Sequence, residues 1–133
     1  LLVNNFVQRA VNENFIDVFE PKFRRNFIHI KDVVKGIVFA INNFDRLKSN
    51  VYNLGLSSAN ITKIDLVKKI KKQLKSLRIK VIKNKSDPDK RDYFVSNLKI
   101  EKKGFIANIS LDQGIRELIQ VFKNNNKKII NNY

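Results

Sequence analysis

Two adjacent guanidinium groups, Arg24 and Arg25, stand before a short apolar stretch, Phe27-Ile28-His29-Ile30, which runs on into a long apolar helix. A guanidinium carries its donors in one plane and matches two oxygens of a phosphate or carboxylate at once. Fixed at the head of a buried element, Arg25 reads as an anion grip; the competing reading is a surface cation paired with Asp17 or Glu20. Arg24 reads as a solvent charge. His29 is the only histidine and there is no cysteine, which excludes disulfides, thiolate metal sites and a cysteine nucleophile. His29 therefore reads as a structural, hydrogen-bonded residue. Lys68, Lys69, Lys71, Lys72 and Lys75 share one helix face. They read as a solvated face, because no interleaved aromatics or glycine-rich loop accompany them as nucleic-acid stacking would require.

Several elements must position these groups. Phe6, Val7, Ala10 and Val11 recur at helical spacing and predict a helix from Leu2 to Val11. Phe15 to Phe19 reads as a short strand that Pro21 stops, and Phe27 to Ile30 as a second. Asp32 is placed to cap a helix from about Val33 to Phe44. That helix is apolar over most of its circumference and so needs cover on more than one side. A lone small domain has little to supply the second cover, which suggests a neighbouring lobe. Asn50 to Gly55 reads as a strand, Ser57 to Ile61 as a loop, and Thr62 as the cap of a helix from Lys63 to Leu77. Ile79 to Ile82 follows as a strand, then a polar loop from Lys83 to Arg91, an extended Tyr93 to Val95, and a short helix from Asn97 to Lys103 capped by Ser96 and ended by Gly104. Ser110-Leu111-Asp112-Gln113 has the form of a capping box and opens a last helix that buries Leu111, Ile115, Leu118, Ile119 and Phe122; the polar residues from Asn124 are expected to fray.

At 133 residues the chain has room for one domain with a real core. No apolar run approaches the roughly 20 residues of a membrane helix, and the first residues lack the pattern of a signal peptide. The expectation is a cytoplasmic protein without membrane association. The chain contains no methionine, so Leu1 reads as a cut edge. The net charge of +15 is compatible with an anionic partner, but an abundance of Lys, Asn and Ile together is also what a coding bias toward A and T produces. A basic nucleic-acid-binding module is kept as the alternative.

Four segments then stand in order: Arg25-Asn26-Phe27-Ile28-His29-Ile30-Lys31-Asp32-Val33; Val51-Tyr52-Asn53-Leu54-Gly55; Asp87-Pro88-Asp89-Lys90-Arg91-Asp92-Tyr93 with Ser96 to Ile100; and Gly104-Phe105 leading to Ser110 through Leu118. Together they resemble the C-terminal, substrate-binding part of the NAD-dependent epimerase/dehydratase family, the extended short-chain dehydrogenases that modify nucleotide sugars. The resemblance implies an α/β fold: a small substrate-binding lobe over residues 1–123, with short strands and about four to five helices, and a polar tail over 124–133. It implies that NAD or NADP is bound by an N-terminal Rossmann lobe, which also holds the Tyr-x-x-x-Lys pair. Neither signature is here. Gly36, Gly55, Gly104 and Gly114 form no glycine-rich fingerprint, Tyr52 is followed four residues on by Leu56, and Tyr93 by Asn97. No catalytic residue is assigned, and this chain alone is not expected to be active.

By the same resemblance, Arg25 holds the diphosphate of a nucleotide-diphosphate sugar. Val18 and Phe19 lie along the base. Arg91 is a second clamp, because the family's Arg-Pro-Gly-Asp loop reads Ser86-Asp87-Pro88-Asp89 here and has lost its first arginine; Lys85 is the other substitute. The full-length enzyme is expected to be a homodimer and to bind no nucleic acid. A non-catalytic interaction domain, retained after loss of the Rossmann lobe, is a further alternative.

Overall fold

The β-branched and aromatic residues of Phe15–Phe19 form a strand, and the structure places Ile16 and Val18 inward with no exposed surface. The coordinates, a computed structural model, describe residues 2–82 and 91–130. In chain order the elements are α1 (Leu2–Asn12), β1 (Phe15–Phe19), β2 (Arg24–Asn26), α2 (Ile30–Asn42), α3 (Phe44–Leu47), a 3-10 turn (Ser57–Ala59), β3 (Asn60–Thr62), α4 (Lys63–Gln73), β4 (Arg78–Ile82), α5 (Leu98–Glu101) and α6 (Leu111–Ile130). The fold is α/β as expected, with six α-helices among the described residues rather than four to five.

Contacts divide the chain into two compact units. The first comprises Leu1–Phe23, Thr62–Arg91 and Asp112–Tyr133. Its sheet pairs β1 with β4 in parallel, Phe15 opposite Arg78 and Phe19 opposite Ile82. Phe6, Val7 and Ala10 of α1, Leu66, Val67 and Ile70 of α4, and Ile115 and Ile119 of α6 are buried in this unit with Leu77. Thr62 caps α4 as expected, its hydroxyl accepting from the Asp65 amide at 3.2 Å. The helix ends at Gln73 rather than Leu77, and Leu77 reaches the core from the turn that follows. Lys68, Lys71, Lys72 and Lys75 are exposed, while Lys69 binds Asp112 at 2.7 Å. Helix α6 continues to Ile130, past the point where the chain was expected to fray.

The second unit comprises Arg24–Ile61 and Asp92–Leu111. Its core is Leu56, Ala59, Ile100, Phe105 and Ala107, joined by Phe27, Ile28, Phe39, Tyr52, Leu54 and Leu111. Two expected strands are not formed here. The ladder occupies Arg24–Asn26, and Phe27–His29 is the lead into α2. Residues 51–54 pair with no strand among the described residues. The cap of α2 also differs from expectation. His29 Nδ1 accepts from the Lys31 amide at 3.1 Å, while the buried Asp32 carboxylate accepts from the amides of Asn108 and Ile109 at 3.0 and 2.8 Å.

Helix α2 meets its unit through the buried Asp32 and Gly36 and the half-buried Phe39, which packs on that core. A methyl group at Gly36 would lie 2.8 Å from both terminal carbons of Leu54, so the glycine sets how closely the helix packs. The opposite side carries Ile30, Val34, Ile37, Val38 and Ile41, and Phe44 follows at the start of α3; all are exposed, Ile30 and Ile41 by about two thirds. The helix expected to need two covers has one.

Candidate anion-binding site

Arg25 sits at the centre of β2 and is 6% exposed. An arginine so far buried needs partners for its donors and a neighbour for its flat faces. Its Nη1 donates to the Arg24 carbonyl at 2.7 Å, and its guanidinium carbon lies over the Tyr93 ring, 5.1 Å from the centroid. A cation placed over an aromatic ring is attracted by the ring quadrupole.

Arg24 is exposed, as its reading as a solvent charge expects, but it is paired. Its Nε and Nη2 donate to the two carboxylate oxygens of Asp92, both at 3.1 Å, and its amide donates to Asp92 Oδ1 at 2.7 Å. The donated bonds from the Arg24 side chain, and next those from its amide, hold the Asp92 carboxyl below its ordinary pKa; the same pairing holds Arg24 above its own. Three residues on, Val95 exchanges two bonds with the Asn60 side chain: its amide donates to Oδ1 at 2.9 Å and its carbonyl accepts from Nδ2 at 3.0 Å. An asparagine amide here does the work of a strand partner. The extended segment 92–95, with no ladder of its own, is thereby held at both ends, with Tyr93 between them.

Behind this segment lies a tightly fitted polar cluster. A side chain at Gly55 would fall on the Asn26 amide group and lie 3.0 Å from Asn97 Oδ1. Asn26 Nδ2 donates to the Leu56 carbonyl, and the buried Asn97 Nδ2 donates to Ser57 Oγ, which donates to Glu101. Asn53 Nδ2 donates to the Ser96 carbonyl at 3.1 Å.

The other expected site residues fall in the first unit. Val18 is wholly buried and forms core, whereas Phe19 is half-buried and its carbonyl accepts from the buried Lys63 Nζ at 3.2 Å. Arg91 is exposed. The loop readings on Lys85 and on Ser86-Asp87-Pro88-Asp89 lie outside the described residues. The sequence reading missed Asp92, Tyr93 and Asn60 as the residues that hold Arg25 in its setting. The adjacency of Asp92 and Tyr93 to Arg91 was the available signal. No group of histidine, aspartate and glutamate side chains suited to a metal occurs among the described residues, and no helix there is long and apolar enough to cross a membrane.

With this geometry in place, the likeness to known proteins can be stated. The model of the NAD dependent epimerase/dehydratase family matches residues 2–55, a stretch that includes Arg25, α2 and Gly55. Two of the four segments that carry the resemblance, residues 25–33 and 51–55, fall inside that stretch. Among solved structures it is similar to RMD from Pseudomonas aeruginosa complexed with NADPH (14% identity, 94% of this chain and 43% of that one, TM-score 0.72). It is similar to the UDP-glucose 4-epimerase of Thermus thermophilus in complex with NAD (18% identity, 92% and 40%, TM-score 0.72). It is similar also to TunA, an NAD-dependent NDP-hexosamine 5,6-dehydratase of tunicamycin biosynthesis (20% identity, 93% and 40%, TM-score 0.75). The chain thus has the fold of a part of these enzymes and spans about two fifths of their length.

Proposed function

We propose that this chain is the substrate-holding portion of an NAD(P)-dependent enzyme that epimerises or dehydrates a nucleotide sugar. In this reading Arg25 binds the diphosphate, and Phe19, with the backbone of β1, borders the base. Val18 contributes to the wall through its backbone alone, since its side chain is core. Arg91 is the second cation for the diphosphate. NAD or NADP would be held by a dinucleotide-binding lobe that the residues here do not form, and would supply the hydride acceptor there. Fixing the non-reacting nucleotide orients the reacting carbon, so binding energy far from the bond that breaks lowers the barrier.

The observation that carries the reading is the setting of Arg25: a guanidinium held on β2, inside the stretch that matches the family. The open apolar side of α2 adds support, because such a side belongs against a further lobe. The exposed lysines of α4 are the feature that would favour a nucleic-acid module, and they lack aromatic neighbours on that helix.

The test is titration of the chain with UDP, GDP, CDP and dTDP, followed by amide NMR. One of these should shift resonances of β2 and of 92–95, and Arg25→Ala should weaken it about tenfold or more, as loss of a charge-assisted contact does. Unchanged binding by Arg25→Ala, or no binding of any of the four, would sink the proposal. Tight binding of random duplex DNA that survives moderate salt would favour the basic module instead.

A further inference from the structure

Lys63, the first residue of α4, is 1% exposed. A lysine is almost never buried so far unless its Nζ is satisfied. Here Nζ donates to the Phe19 carbonyl at 3.2 Å and lies 5.8 Å from the centre of the Phe23 ring. The backbone acts on the same turn: the Lys63 amide donates to the Phe23 carbonyl and the Ile64 amide to the Pro21 carbonyl, both at 3.0 Å. With Thr62 taking the Asp65 amide, the first three amides of the helix are all used. The carbonyls of Phe19, Pro21 and Phe23 thus seat the turn on the start of α4, and of these bonds a side chain makes only the one to Phe19. Phe19 is the last residue of β1, which runs parallel to β4. The carboxyl ends of parallel strands are where open α/β sheets gather ligands. A peptide is planar and trans, so fixing the Phe19 carbonyl also fixes the opposite direction of the Glu20 amide. Glu20 itself stands at φ 47°, a left-handed conformation that a non-glycine residue adopts at a cost.

We infer that Lys63 is a positioning residue for base selectivity: from the head of α4 it holds the peptide after Phe19 in the plane that the end of β1 shows to a nucleotide base. This rests on the proposed place of β1 beside the base. The diphosphate is common to all nucleoside diphosphates, so losing a group that grips it weakens all of them alike. Losing a group that sets the wall beside the base changes the ratios between them, because ring carbonyls and amino groups meet that wall differently in each base. A lysine that only filled the core would leave those ratios as they are.

The experiment compares wild type, Lys63→Met, Lys68→Met and Arg25→Ala in the full 133-residue chain, with the affinities for UDP, GDP, CDP and dTDP as the readout. Methionine keeps most of the buried stem and removes the donor, while the backbone bonds to Pro21 and Phe23 remain available. Lys63→Met should weaken the preferred nucleotide about five- to tenfold and the others less, compressing the ratio between best and worst. Arg25→Ala should weaken all four by a common factor. Lys68→Met, which removes an exposed lysine of the same helix, should leave the four in their wild-type proportions. A common factor in Lys63→Met, or no change, overturns this inference while the proposed function stands on Arg25. Equal binding of all four by the wild type overturns it too. No binding of any of the four, or no effect of Arg25→Ala, takes down the proposed function and this inference with it. If Lys63→Met does not fold, amide NMR of the wild type decides. Shifts at Phe19 and Glu20 that differ from one nucleotide to the next support the inference, and identical shifts overturn it.

Discussion

Gly55 and Asp92 show how much of the site is fixed by single atoms. The backbone at Gly55 passes so near Asn26 and Asn97 that a methyl group cannot be accommodated without moving the half-buried Asn26 amide and the buried Asn97 amide. Gly55→Ala should therefore destabilise by about 1–3 kcal/mol, the range for forcing atoms into a filled interior, and a denaturant melt would read it. Asp92 gives a prediction with a sign. Its folded-state pKa is depressed by the Arg24 contacts, so the stabilisation is present above its unfolded value of about 3.9 and is lost as pH falls from there through the folded value. Between neutrality and about pH 5 the Asp92 and Tyr93 amide shifts should be flat; below about pH 4 they should move together. Tyr93 moving while Asp92 stays ionised would separate the two residues and count against the anchoring. Arg25 was legible in the sequence because an arginine leading into an apolar run is a local pattern. Its setting was not, because Asp92 lies 68 residues from Arg24 and only the fold brings them together.

The elements of the first unit were read well where their apolar spacing is regular, as in α1, β1 and the start of α4. Errors cluster where a partner decides the outcome. Residues 51–54 are rich in strand-forming side chains, yet a strand exists only beside another, and β-propensity is a preference for such a setting rather than a property of the backbone. His29 and Asp32 exchanged roles because both can accept from helix amides, and the choice depends on where residues 108–109 pass. Asp32→Ala should leave those two amides without their acceptor and cost about 2–4 kcal/mol, given about 1.5–3 for a bond to a charged group. Hydrogen exchange of Asn108 and Ile109 would report it directly. Glu20, at φ 47°, is a left-handed non-glycine residue at the end of β1. Glu20→Gly relieves a cost of about 1–2 kcal/mol against a backbone-entropy loss of about 0.5–1, so the substitution should be neutral or stabilising. A clear drop in melting temperature would show that the side chain there does more than fill a turn.

For the molecule as a whole, the sequence argued correctly that α2 carries more apolar surface than one small domain can cover, and the structure shows which side is left over. What it could not show was the division into two units, since Arg24, Thr62 and Asp112 carry no composition change that would mark a boundary. The open side of α2 predicts concentration-dependent association of the isolated chain. Ile37→Lys together with Ile41→Lys, at positions already exposed, should reduce sedimentation of higher species and dye binding without lowering the melting temperature by more than a few degrees. A melt that collapses instead would mean those side chains are structural within this chain. The stripe also has a bearing on life inside a cell. Synthesised without a cover, the chain presents a row of branched aliphatic groups of the kind that chaperones and quality-control proteases sample, so its abundance should depend on how quickly another surface closes over Ile30 to Phe44.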